Sequence, residues 1–146
     1  MTATHQVHLV AVVIDGDRIL LVEHRDSDRL ELPTGPLQDG EDVLTGLRRC
    51  VGHATGLVVA VDRLSGLYTR EGTGISLVFR ARHVVGQIRP GPGVAGCRWV
   101  PLQVAVRALP PAAAEQVQHA TAGTRTAEVI IGHQPRDTVA RLRVAR

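Results

Sequence analysis

Cys50 and His53 are three residues apart in a stretch whose pattern predicts a helix, so their side chains should be neighbours on one helix flank. An imidazole exchanges protons near neutral pH, and a nearby imidazolium stabilises a thiolate, so the pair suggests acid–base or nucleophilic catalysis. Two other interpretations stay open. The thiol can fill space as a small apolar group, or the pair can bind Zn²⁺ with His24 or Cys97 as a further ligand.

A second set of reactive side chains, Glu23, His24 and Arg25, ends a predicted strand. A histidine beside a carboxylate is a credible proton carrier. An arginine can bind a phosphate or carboxylate through two parallel hydrogen bonds. We therefore expect His24 to assist catalysis and Glu23 and Arg25 to contact a substrate. The alternative is an ordinary solvated strand end.

Residues 32–57 combine a loop rich in proline and glycine with a predicted helix. The stretch resembles the Nudix box of MutT-like diphosphate hydrolases. The residues that match that box in type and spacing are Gly35, Glu41, Arg49, Val51, Gly56 and Leu57. Cys50, His53 and Ala54 stand where the family carries three helix glutamates, which hold the divalent metal that binds the diphosphate.

The resemblance therefore implies a Nudix scaffold without its usual magnesium site. Mg²⁺ requires hard oxygen ligands, and a thiol, an imidazole and a methyl group do not supply them. Members of the family often carry further acidic residues just before the tryptophan that matches Trp99, and residues 93–96 contain none. We expect no magnesium and no other cofactor, with Zn²⁺ at Cys50 and His53 as the alternative.

The same resemblance assigns roles to further residues. The family's counterpart of Glu41 mainly braces the loop by pairing with the arginine at the position of Arg49, so we expect that pair here. Glu41 is also predicted to support catalysis, and Arg49 and Phe79 to contact the substrate. His8, on the first predicted strand, is expected to be a core or pocket-wall residue.

Periodicity and turn residues predict an α/β fold. Strands are predicted at residues 5–14, 18–23, 57–68, 75–85 and 97–100, and helices at residues 41–54, 102–109 and 112–120. Asp15-Gly16 predicts a hairpin, Asp62 and Ser65-Gly66 predict irregularities, and residues 70–74 a turn. Asp39 or Gly40 is expected to cap the first helix, with Glu41 and Asp42 in its first turn.

The resemblance implies the Nudix fold, a mixed β-sheet sandwiched between helices, in a single domain over residues 1–146. It covers about residues 7–109, and residues 110–146 are only weakly diagnostic. Residues 126–131 are predicted as a last strand, and the basic end at residues 137–146 as a helix, an edge strand or a frayed tail.

Composition excludes several classes of function. The aromatic residues make up 2% of the chain, so base stacking of the kind seen in single-strand binders is not available. All 17 basic residues are arginine, and the net charge is only +3. They are scattered except for a C-terminal cluster, which consists of Arg136, Arg141, Arg143 and Arg146. We therefore do not expect nucleic acid as a partner.

Two cysteines are too few for a disulfide framework, and no apolar run reaches a membrane-spanning length. The N-terminus lacks the basic and apolar regions of a secretory leader. We expect a cytoplasmic protein with no membrane partner.

We interpret the chain as a repurposed Nudix protein that transfers protons, without a metal, on a small substrate that can be anionic, as in secondary metabolism. His53 would be the acid or base, supported by Cys50, His24 and Glu41, with Arg25 orienting the substrate. One alternative is a ligand-sensing or scaffolding domain. Another is residual hydrolysis of a nucleoside diphosphate derivative. A homodimer would be typical of the family.

Overall fold

The first strand contains a continuous apolar run that is buried on both faces of the sheet, and the domain is built around it. The computed structural model describes residues 5–27, 29–70, 74–122, 129–134 and 140–144. Its elements are β1 (Val7–Asp15), β2 (Arg18–His24), β3 (Leu30–Glu31), β4 (Thr34–Pro36), α1 (Val43–Thr55), β5 (Val58–Arg70), β6 (Gly74–Val85), β7 (Val94–Pro101), α2 (Leu102–Ala108), α3 (Pro111–Thr121), β8 (Val129–Gln134) and β9 (Ala140–Val144).

Within the described residues, nine strands form one mixed sheet. Its order is β3-β2-β1-β6-β5-β8-β9, and in addition β4 pairs with β1 and β7 pairs with β2. β1 runs parallel to β6, and β5 runs parallel to β8. The predicted hairpin is confirmed, because Asp15 pairs with Arg18 and Gly16 has a left-handed φ of 62°. Register shifts at Asp62 and Ser65 confirm the predicted irregularities in β5.

The two faces of the sheet pack against different helices. On one face Leu9 and its alternate neighbours in β1 form a buried cluster with Leu47 of α1. On the other face Val10 and its alternate neighbours form a cluster with Val117 of α3 and Ala105 of α2. Residues of β1 alternate between the clusters because side chains along a strand point to opposite faces. The predicted mixed sheet sandwiched between helices is confirmed.

The start of α1 differs from the prediction. Asp42 is the N-cap, and its Oδ2 accepts hydrogen bonds from the Thr45 backbone N at 3.1 Å and Thr45 Oγ1 at 3.2 Å. The predicted cap at Asp39 or Gly40, with acidic residues in the first turn, is therefore wrong. Gly40 has a left-handed φ of 73°, which is not helical, so the helix begins only after this residue. The predicted end is confirmed, because Gly56 has a φ of 77° and its N–H donates to Gly52 O at 2.8 Å.

Other boundaries shift by a few residues. Residues 34–36 were predicted as loop but form β4, because they pair with residues 8–10 of β1. β7 begins at Val94, three residues before the predicted start. The helices predicted at residues 102–109 and 112–120 are confirmed as α2 and α3. Among the described residues, no helix is long and apolar enough to cross a membrane.

Part of the chain lies outside the described residues. This holds for most of the predicted turn, including Glu71, and for the start of the predicted last strand at residues 126–128. β8 overlaps that prediction and continues to Gln134. Of the three alternatives for the C-terminal end, residues 140–144 form a strand, β9. Arg136 and Arg146 lie outside the described residues, as do the side chains of Arg141 and Arg143.

Candidate functional site

The loop before α1 is held by one ion pair, between Glu41 and Arg49. Arg49 Nε donates to Glu41 Oε2 at 2.7 Å, and Arg49 Nη2 donates to Glu41 Oε1 at 2.9 Å and to Pro36 O at 2.8 Å. The backbone N of Gln38 donates to Glu41 Oε1 at 3.1 Å. These contacts join the loop to the helix, so the prediction that Glu41 braces the loop is confirmed.

The electrostatics of this pair follow from the same contacts. The hydrogen bonds from Arg49 lower the pKa of the Glu41 carboxyl, and those to Glu41 raise the pKa of the Arg49 guanidinium. Both groups are therefore held in their charged forms. Such a pair is suited to positioning the loop rather than to exchanging protons with a substrate.

Cys50 faces the interior instead of a shared flank with His53. Its side chain is buried, and a Cβ added at Gly35 would lie only 2.7 Å from its Sγ. Burial raises the pKa of the Cys50 thiol, which favours the neutral form. This direction is opposite to the one that thiolate chemistry requires. Of the three interpretations given to Cys50, the geometry favours the space-filling one.

His53 is exposed in the last turn of α1, next to a loop that covers the helix end. The backbone N of Arg89 donates to Thr55 O at 2.7 Å, and that of Gly91 donates to Ala54 O at 3.1 Å. Cys97 Sγ donates to Ala54 O at 3.4 Å. The residues around the helix end therefore satisfy backbone carbonyls that α1 leaves unpaired.

A zinc site at this place finds no support in the described part of the chain. No three His, Cys, Asp or Glu side chains there form a group that could hold a metal ion. Cys50 is buried against Gly35, while His53 is exposed.

The three residues at the end of β2, Glu23, His24 and Arg25, contact different partners in the structure. His24 Nε2 lies 3.1 Å from Glu31 Oε2 of β3, so the carboxylate beside His24 is that of Glu31. Glu23 Oε2 lies 3.4 Å from Arg98 Nη2. The Arg25 side chain is exposed, and its backbone N donates to Gly93 O at 3.0 Å. The predicted proton carrier therefore has a partner, although a different one from its neighbour in sequence.

Phe79 does not occupy a position from which it could contact a substrate. Its side chain is 6% exposed and belongs to the apolar cluster between the sheet and α1. The prediction that Phe79 binds substrate is corrected here, because a ligand would have to displace packed apolar side chains to reach the ring.

A concave site lies on the opposite face of the sheet, next to α3. It is a cavity of about 420 Å³, within the size range of small-molecule sites. The lining residues are His8, Val10, Arg29, Glu31, Leu32, Thr34, Ser76, Pro110, Ala112, Ala113 and Gln116. We name this the α3 cavity. A more open depression beside the loop before α1 is lined by residues 5–7 and 37–41.

The α3 cavity confirms that His8 is a pocket-wall residue and contains three polar residues that were missed: Arg29, Glu31 and Gln116. A sequence signal existed for two of them, because residues 29–32 alternate polar and apolar side chains, as a strand end does. No comparable signal existed for Gln116, which lies in a helix and reaches the cavity only through the packing of α3 on the sheet.

Comparison with known proteins agrees with this architecture. The NUDIX domain profile matches residues 4–121. A MutT-like protein of Streptomyces ambofaciens is 36% identical over 98 residues, which cover 66% of this chain and 64% of that protein's length. The matched region therefore spans less than two thirds of this relative.

Two solved structures share the fold. A NUDIX hydrolase from Nitrosomonas europaea superposes with a TM-score of 0.82 at 14% identity, covering 93% of this chain and 82% of that one. An ADP-ribose pyrophosphatase from Streptococcus suis 89-1591 superposes with a TM-score of 0.73 at 20% identity, covering 90% and 100%. At these identities the likeness concerns the fold alone.

Proposed function

This chain belongs to the NUDIX domain family, and from that premise we propose that it binds a small anionic molecule in the α3 cavity and acts on it by metal-independent proton transfer. The observation that carries the proposal is the His24–Glu31 pair. Its two side chains are 3.1 Å apart and half-exposed, and Glu31 belongs to the cavity wall. An acid–base pair at the edge of a cavity of suitable size can reach both ligand and solvent.

The residues at the metal positions of the box do not fit magnesium. They offer the buried thiol of Cys50, the exposed imidazole of His53 and the methyl group of Ala54, whereas Mg²⁺ requires oxygen ligands in octahedral geometry. The carboxylate that the box retains, Glu41, already accepts three hydrogen bonds from protein groups. No step of the proposed reaction runs through a metal.

Each polar group at the edge of the α3 cavity has a role in this proposal. Glu31 is the catalytic residue, because its carboxylate contacts the ligand and accepts a proton from it. His24 is a positioning residue that holds Glu31 through Nε2 and can pass the proton to solvent. Arg29 binds the anionic part of the ligand, as only a guanidinium can do with two parallel hydrogen bonds. Arg29 therefore takes the role expected of Arg25.

Base catalysis by Glu31 can be measured with 5-nitrobenzisoxazole. A base removes its C–H proton, the N–O bond breaks, and the ring opens to a coloured cyanophenolate. We expect turnover that EDTA does not change and that falls about a hundredfold in Glu31→Gln. His53→Ala is the control and should leave the rate unchanged. Turnover that persists in Glu31→Gln, or that EDTA abolishes, contradicts the proposal.

Residual diphosphate hydrolysis is the second candidate, favoured by family membership and by the fold shared with an ADP-ribose pyrophosphatase. It predicts cleavage of ADP-ribose that depends on Mg²⁺ or Mn²⁺ and is abolished by Glu41→Gln. A ligand-sensing domain would instead bind a ligand in the α3 cavity and turn over neither compound. The two assays, run with and without EDTA, therefore separate all three functions.

A further inference from the structure

One glutamine that lines the α3 cavity, Gln116, is hydrogen-bonded to a second buried glutamine, Gln134. Gln116 of α3 is 6% exposed and lines the cavity, and Gln134 at the end of β8 is 5% exposed. Buried amides are costly unless they are hydrogen-bonded. Here Gln116 Nε2 donates to Gln134 Oε1 at 3.2 Å, and Gln134 Nε2 donates to Ala112 O at 3.2 Å.

The direction of this chain of amides is fixed at one end. A backbone carbonyl oxygen can only accept a hydrogen bond, so Gln134 must direct its Nε2 towards Ala112 O. Its Oε1 is then the atom that faces Gln116, and this oxygen can only accept. Gln116 must therefore direct its Nε2 towards Gln134. The orientation of the Gln116 amide follows from hydrogen-bond chemistry, without freedom to flip.

The remaining polar atom of this pair of amides is Gln116 Oε1. No described residue donates a hydrogen bond to it, and no side-chain nitrogen or oxygen in the described part of the chain is both buried and without a hydrogen-bond partner. Because Gln116 lines the α3 cavity, we infer that Oε1 faces this cavity. The wall thus presents one fixed acceptor oxygen next to the remaining N–H hydrogen of Nε2.

We propose that Gln116 selects ligands that carry a carboxamide or lactam group, whose N–H donates to Oε1 while its carbonyl accepts from Nε2. This inference rests on the proposed function and names a second contact of the ligand, in addition to the anionic group held at Arg29. A carboxylate or a dialkylated amide at this position would leave Oε1 without a donor, which disfavours such ligands.

A matched pair of probes tests the inference. 4-Carbamoylbenzoate carries a carboxylate and a primary amide, and its N,N-dimethyl analogue lacks the N–H donor. Titration calorimetry on the full chain should give about tenfold tighter binding of the first compound. The ratio should fall to about one in Gln116→Leu and to an intermediate value in Gln134→Leu, because the amide is then free to rotate. Gln118→Leu, at an exposed position of the same helix, should keep the wild-type ratio.

The outcomes separate this inference from the function on which it rests. If benzoate binds but the two probes bind equally to the wild type, the amide selection is wrong and the anion site stands. If benzoate and both probes fail to bind, the proposed function fails as well. The ratio of the two probe affinities on the wild type tests the amide selection without any variant, so the test holds even if Gln116→Leu does not fold. Circular dichroism will report whether that variant is folded.

Discussion

The two faces of the sheet make opposite use of their polar residues. On the α1 face, the Glu41 carboxylate is bound to Arg49, the Cys50 thiol is buried and the carbonyls at the helix end accept hydrogen bonds from the loop between β6 and β7. On the α3 face, Glu31 and Gln116 each have a protein partner on one side and the cavity on the other.

The contacts on the α1 face hold the backbone in place, whereas the polar groups on the α3 face are placed to meet a ligand. The loop brace and the glycine that ends α1 are the parts of the box that hold the backbone, and both are present. In the function proposed above, the chemistry lies on the other face of the sheet, at Glu31. A fold alone does not decide where the function lies, and each of the following predictions tests one side of that comparison.

The largest expected effect lies at the end of α1. A Cβ added at Gly91 would overlap the backbone oxygen of His53, and the surrounding backbone would have to move. We expect Gly91→Ala to lower the free energy of unfolding by about 3 kcal/mol in urea titrations. Gly96→Ala is the control, because nothing lies within 4 Å of its added Cβ. Equal stability of the two variants would show that the loop does not hold the helix end as described.

On the α3 face, Arg29→Gln should weaken the binding of benzoate about tenfold, which corresponds to about 1.4 kcal/mol. The reason is the loss of a guanidinium that lines the cavity. Titration calorimetry near neutral pH measures the change. The matched variant Arg25→Gln removes an exposed arginine four residues earlier and should leave the affinity unchanged. If Arg25→Gln weakens the binding of benzoate and Arg29→Gln does not, the anion site lies at the end of β2 instead.

Packing between Gly35 and Cys50 can be measured by a double-mutant cycle. Gly35→Ala places a methyl group 2.7 Å from Cys50 Sγ, so it should destabilise the fold. In the Cys50→Ala background the sulfur is absent, and the cost should fall by about 1 kcal/mol. Additive effects of the two substitutions would contradict the space-filling role of the thiol.

The smallest effect concerns pH, because the Glu41–Arg49 pair is partly exposed and screened by solvent. Arg49 lowers the pKa of the Glu41 carboxyl in the folded state. The resulting stabilisation is complete above the unfolded value of about 4.3 and is lost as the pH falls through the lower folded value.

The unfolding midpoints of the wild type and Glu41→Gln should therefore differ by a constant amount near neutral pH and converge under acid conditions. Asp39→Asn, at an exposed position of the same loop, should not reproduce this convergence. A difference that persists unchanged in acid would mean that the carboxylate charge is not what braces the loop.

Local chemistry explains why much of the fold could be predicted. The apolar run within residues 5–14, the turn at Gly16 and the helix end at Gly56 depend on neighbours in sequence, and all three agree with the structure. The Glu41–Arg49 pair was also predicted, as an implication of the resemblance to the Nudix box. The cap of α1 was predicted at Asp39 or Gly40, but Asp42 caps the helix, and the ion pair with Arg49 holds Glu41 outside it.

The sequence by itself determined the layered sheet and helices, because hydrophobic periodicity acts over a few residues. Only the tertiary structure decided which polar side chains meet. His24 pairs with Glu31 across two strands, and Gln116 meets Gln134 across a helix and a strand. Such contacts depend on strand register and helix placement, which the whole core sets at once. Cys50 and His53 are neighbours in the chain, but burial gives one an interior environment and the other a solvent environment.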